Sequence, residues 1–154
     1  MDIESIQVAQ LLMVIAETNE KFIAFSQDLR SRPEVIRVLH SFECRKYGEG
    51  VGFEGYVDAE LHNGRAVCWW LEVHWSEERW LIESRILVNS DQGQDPIKEF
   101  PEKVSDTLGG FIAQLEQVIA ELVGSIGTID LTSANLVSYS SEACANKSSL
   151  KSVR

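Results

Sequence analysis

Three glutamates, a histidine and an aromatic–cation set carry what chemistry this chain could do. Glu54, Glu72 and Glu83 lie in three segments that alternate polar and apolar residues. Each has an amphipathic neighbour two positions away (Tyr56, Trp70 and Arg85), and His74 is two positions beyond Glu72. Carboxylates and an imidazole brought together could ligate a hard cation or exchange protons. On an open surface the same carboxylates would receive an Arg or Lys from another protein, with Tyr56 and Trp70 as anchors. They could equally form a solvated face in which Arg79 and Arg85 dilute the repulsion. An open face excludes water poorly, which disfavours the acid–base and metal readings. GxSxG, HExxH, GxGxxG and Walker patterns are missing from the sequence. His40 and Cys44, four apart, would share a helix face, but nothing marks a reactive thiol. No catalytic, cofactor-binding or metal-binding residue is assigned. The partner-binding set is Glu54, Tyr56, Trp70, Glu72, His74, Glu83 and Arg85.

The elements that must position this set are three antiparallel strands within residues 51–89. Alternation fixes their faces. Val51, Phe53, Val57, Ala59 and Leu61 fall on one face of the first strand. Val67, Trp69, Leu71, Val73 and Trp75 do so in the second, and Trp80, Ile82, Ile86 and Val88 in the third. A two-residue Asn63-Gly64 turn would set Val57 opposite Trp70 and cross the apolar faces, and a slip of one residue exposes a whole buried set. A three-residue loop, His62-Asn63-Gly64, with Gly64 left-handed, sets Leu61 opposite Arg65, Val57 opposite Trp69 and Phe53 opposite Val73. Opposing Trp75 to Trp80 likewise aligns Val73 with Ile82, Trp69 with Ile86 and Val67 with Val88. Glu77-Glu78 is poor chemistry for a primed two-residue turn, so a four-residue loop is expected there. Glu54, Glu72 and Glu83 then form one cross-strand row on the outer face. Tyr56, Trp70 and Arg85 form the next row, and His74 lies beside Leu81.

Length and charge bound the rest. A chain of 154 residues suits one domain with a real core. With a net charge of −10 and a pI near 4.7, nucleic acid is an unsuitable partner and a basic protein a suitable one. Cys44, Cys68 and Cys144 are odd in number and lack CxxC spacing, which argues against a disulfide framework or zinc site. The acidic start, MDIESIQ, is unlike a signal peptide. No wholly apolar run is longer than Leu11–Ala16, far short of the about 20 residues of a membrane span. A reduced, cytoplasmic protein without membrane association is expected.

Residues 3–30 read as a helix started by Asp2 or Ser5, with Val8, Leu12, Ile15, Phe22, Phe25 and Leu29 as its stripe. The apolar run 11–16 is wider than one buried face needs, which predicts either burial on both sides or a homodimer contact. Ser31-Arg32-Pro33-Glu34 has the form of a capping box and predicts a short second helix bearing Val35, Val38, Leu39 and Phe42, with His40 as a capping or surface residue and not a ligand. Phe42–Tyr47 is a candidate extra strand. Residues 89–96 read as a loop. Val104, Leu108, Phe111, Ile112, Leu115, Val118, Ile119 and Leu122 predict a helix over 102–123 with Gly124 as its C-cap. Gly109-Gly110 inside it implies close backbone approach to the sheet or the first helix, or else a kink. Residues 1–124, net −11, read as one domain. Residues 125–154, net +1 with eight serines, read as a flexible tail whose first half could dock.

In size, acidity and helix–sheet–helix order the chain resembles small acidic bacterial secretion chaperones and, equally, toxin-immunity proteins. Both likenesses are compositional and carry no residue over. The sequence predicts an α+β fold: an antiparallel meander of three to four strands packed against an N-terminal and a C-terminal helix. It predicts a non-enzymatic, cofactor-free interaction protein using the outer sheet face or a sheet edge. The alternative is a small-ligand-binding domain or small enzyme with a pocket between sheet and helices.

Overall fold

A computed structural model describes residues 3–48, 50–90 and 93–132. The fold is α+β. Helix α1 (Ile3–Arg30) leads into strands β1 (Val35–Tyr47), β2 (Gly50–Leu61), β3 (Ala66–Ser76), β4 (Arg79–Ser90), β5 (Gly93–Glu99) and β6 (Lys103–Ser105). Helix α2 (Leu108–Gly124) and a 3₁₀ turn (Ser125–Thr128) follow. The sheet is antiparallel in the order β1-β2-β3-β4-β5, and β6 pairs with β4 beyond β5. It has two short strands more than the meander expected from sequence. Among the described residues no helix is long and apolar enough to cross a membrane.

Alternation sets the central register as expected. Val57 lies opposite Trp69 and Phe53 opposite Val73; Trp75 opposes Trp80, and Trp69 opposes Ile86. Gly64 has φ +80°, and its amide donates to the Leu61 carbonyl at 3.1 Å, closing the three-residue loop. The β3–β4 connection is tighter than the expected four-residue loop. Ser76 opposes Arg79, which leaves Glu77 and Glu78 as the two turn residues, at φ 51° and 64°. The apolar ladder on either side dictates the register, and the glutamates take left-handed backbone to satisfy it.

The expected second helix is instead β1. Ser31 caps backwards: its hydroxyl donates to the Asp28 carbonyl at 2.6 Å, at the end of α1, and Arg32 bonds the Asp28 carboxylate at 3.1 Å. The capping-box pattern therefore finishes one helix without starting another. From Val35 on the chain alternates. Val38 and Phe42 turn inward, while Arg37, Leu39, Ser41, Glu43 and Arg45 oppose outer-face residues of β2. His40 is half-buried opposite Val57, not a surface residue of a helix. Burial, then the Arg30 charge, lowers its pKa.

Two glycines of β2 are required by close approach. A Cβ on Gly55 would meet the Phe42 ring at 2.9 Å, and one on Gly52 would strike the Val73 carbonyl oxygen. Residues expected to form a loop supply β5, with Pro96 opposite Leu87 beside a register shift on this outer strand, where a missing amide is tolerated. Val104, expected in the last helix, is in β6. Helix α2 starts only at Leu108, capped by Thr107, whose hydroxyl accepts from the Gly110 amide at 3.1 Å. Gly109-Gly110 thus falls in the first turn. Gly109 approaches nothing, and Gly110 makes room for the Ser105 and Thr107 hydroxyls, not for the sheet backbone or α1. Gly124 stays right-handed, and the helix runs on into the 3₁₀ turn. Beyond it Leu131 is buried, with Ile126 and Ile129 packed on the core. The rest of the serine-rich stretch, from residue 133, and the cap Asp2 lie outside the described residues.

The core fills the space between one sheet face and the helices. Helix α1 covers β1 and β2, and α2 covers β4 and β6. Trp69 meets Phe25 edge-on at 5.1 Å, and Trp80 stacks on Phe111 at 4.4 Å. The second half of α1 delivers Phe22, Phe25 and Leu29 to this core. Its first half contributes the partly buried Leu11, Val14 and Ile15, while on the opposite side Leu12 and Met13 are each 61% exposed.

Candidate functional site: the outer face of the sheet

Strands that bury one face leave the other to solvent. The seven residues singled out from sequence all lie on that outer face, in the rows that the register demands. Glu54 opposes Glu72, which opposes Glu83; Tyr56 opposes Trp70, which opposes Arg85; His74 opposes Leu81. The flanking strands extend each row. Glu43 of β1 opposes Glu54, so four glutamates line up across four strands. Ser41 and Glu99 lengthen the aromatic row at its two ends. A third row reads Leu39, Asp58, Cys68, Leu87, Pro96.

Cations are unevenly shared along the acidic row. Arg45 bonds Glu54 at 2.9 Å and reaches Glu43 at 3.5 Å. At the other end, the nearest imidazole nitrogen to Glu72 is His74 Nδ1, at 3.9 Å. Arg85 lies over the Trp70 ring, its guanidinium carbon 4.2 Å from the centroid. Partial burial, then Glu83, and then Glu54 behind the opposing His74, hold the Glu72 carboxyl above the ordinary glutamate range, with Arg85 a lesser counterweight. A hydrogen bond with Glu83 raises Glu102, which adds a fifth carboxylate at this end.

Beside the acids the face is concave. Tyr56, Trp70, Leu87 and Pro96 help to line an open trough of about 540 Å³, with Glu54, Asp58 and Glu99 on its walls. A smaller hollow of about 320 Å³ adjoins it over Arg37, Asp58 and Arg65. Burial and Glu60 raise the Asp58 carboxyl against the pull of Arg37. The Cys68 thiol on the trough floor is pushed up to about 12 by burial and by Asp58 and Glu54, so it stays protonated and is a poor nucleophile. His40 and Cys44, on a strand, are about 13 Å apart along the chain and form no dyad. No group of His, Cys, Asp and Glu among the described residues has the arrangement of a metal site.

Sequence reasoning missed Glu43, Arg45, Asp58, Glu99 and Glu102. The signal for the first two was the period-2 alternation from Arg37 to Arg45, masked by the capping-box pattern before it. Asp58 was on the right face of β2, one row beyond those considered. Glu99, in β5, and Glu102, just before β6, had no local signal, because β5 and β6 are strands only by virtue of pairing with β4. No family model, curated protein or solved structure matches the chain.

Proposed function

We propose that this is a non-enzymatic interaction protein that holds a basic, extended segment of a partner protein in the trough of its outer sheet face. One observation carries the reading: a row of carboxylates, with fewer cations among the described residues at its Glu72–Glu83 end, runs beside an aromatic row that lines an open trough of about 540 Å³. Arg or Lys side chains of the partner would relieve the repulsion among Glu72, Glu83 and Glu102. Tyr56 and Trp70 would supply broad apolar platforms at low entropic cost, the usual character of binding anchors. Arg85, already over Trp70, would keep the partner's cations away from its own position and so help to fix register. A ligand pocket between sheet and helices has less support, because Trp69, Phe22, Phe53 and Phe111 fill the centre of that interface at no more than 2% exposure and the hollow at its end, by Val8, Leu11, Trp75 and Trp80, is open to solvent.

The test is selection from a peptide library displaying Arg and Lys at varied spacing. Wild-type protein is expected to enrich basic, extended peptides. Trp70→Ala and the pair Glu72→Gln/Glu83→Gln should each lose that enrichment while remaining folded. Enrichment of acidic peptides, or equal enrichment by the variants, would remove the outer face from consideration.

A further inference from the structure

The first half of α1 carries an exposed apolar surface, separate from the outer sheet face. Residues 5–16 contain no charged side chain, on a molecule of net charge −10. Their outward side shows Ala9, Leu12, Met13 and Ala16, all exposed. The spacing of three, one and three puts these residues on one helical stripe. Val8 at 56% and Ile6 at 43% exposure flank it. Together these side chains expose a few hundred Å² of apolar surface, at the level where a patch marks a contact site. An adjoining hollow of about 630 Å³, lined in part by Val8, Leu11, Trp75 and Trp80, continues the apolar surface beyond the stripe.

We infer that this stripe binds a second copy of the chain, with the two α1 helices antiparallel and crossing between Leu12 and Met13. Two features select a second copy. The stripe is palindromic in size: small, large, large, small. A two-fold axis through its midpoint sets Ala9 against Ala16 of the second copy, and Leu12 against Met13 of the second copy. The bulky pair interdigitates while the alanines let the backbones close to helix-packing distance. The second feature is charge. Two copies of net charge −10 repel almost anywhere they meet, whereas residues 5–16 oppose no like charges, and antiparallel helices also oppose their dipoles favourably.

Sedimentation equilibrium across micromolar concentrations is expected to give a dimer that persists at high salt, and Leu12→Glu should give a folded monomer. Disulfide trapping reads the geometry in a Cys44→Ser/Cys144→Ser background. In Ala9→Cys/Ala16→Cys the two thiols of one copy are about 10.5 Å apart along the helix, too far to join. Oxidation should therefore link two copies, while Ala9→Cys alone should not cross-link. A wild-type monomer at every concentration, a dimer surviving Leu12→Glu, or cross-linking by Ala9→Cys alone would each overturn the inference. None of these outcomes depends on the peptide trough, because Trp70→Ala leaves α1 untouched.

Discussion

Trp69→Ala is expected to cost about 3–5 kcal/mol, because the indole is fully buried between Val57 and Ile86 and against Phe25. Against a typical total stability of about 5–15 kcal/mol that loss brings the fold to its limit. Its neighbour Trp70, half-exposed on the other face under Arg85, should cost about 1 kcal/mol when cut to alanine, through lost cross-strand contacts. Urea melts of the two variants check the contrast, and equal costs would mean that both faces are buried. Glu72 gives a pH signature. Its native carboxyl holds its proton more tightly than an unfolded glutamate, chiefly through burial and the Glu83 charge. Between the two values the native state binds more protons, so stability falls as pH rises through that window. Glu72→Gln should therefore raise the melting temperature at pH 7 and flatten the rise in stability on acidification. A lower melting temperature at pH 7 would show that Glu72 is held by a net favourable contact.

Among the elements, the β3–β4 hairpin shows long-range pairing overruling local preference. Glu77 and Glu78 both have positive φ, a backbone that costs an L-residue other than Asn or Gly about 1–2 kcal/mol. The conformation persists because opening the loop would misalign Trp75 with Trp80 and every apolar pair behind them. Replacing Glu77-Glu78 by Asn-Gly is expected to stabilise the protein by about 1 kcal/mol or more, read as a higher urea midpoint at unchanged slope. A lower midpoint would mean that the two carboxylates make contacts worth more than the relieved strain. Helix α1 shows the converse, since its second half is fixed by Phe22, Phe25 and Leu29 and its first half has an apolar surface facing solvent.

For the molecule as a whole, charge separates the two proposed contacts. Attraction between the acidic trough and a basic segment is screened by salt, with a Debye length of about 10 Å at 0.1 M. Peptide affinity should weaken steadily with ionic strength, mostly through slower association. The apolar α1 contact should hold or tighten under the same titration. A salt series of peptide binding by fluorescence anisotropy, beside sedimentation of the free protein, reads both. Salt-independent peptide binding would show that the aromatic row, not the carboxylate row, supplies the recognition.

Two periodicities in the sequence determined the centre of this protein. Strict alternation from Val51 to Val88 admits one register that buries Val57, Trp69 and Ile86 together, and that register alone places Glu54, Glu72 and Glu83 in a row beside Tyr56, Trp70 and Arg85. The pattern suffices because a one-residue slip would expose a whole apolar set. Helical spacing likewise marked most of both helices. Only the tertiary structure decided where the periodic evidence was short or divided. Residues 31–42 satisfy a helix-start pattern and a strand pattern at once, and pairing of Val38 and Phe42 with β2 settles them as strand. Residues 93–105 have weak local preference for anything, and the open edge of β4 makes them β5 and β6. The trough belongs in part to this second class, since Gln94, Pro96 and Glu99 on its wall come from β5, a strand that exists only because β4 offers it hydrogen bonds.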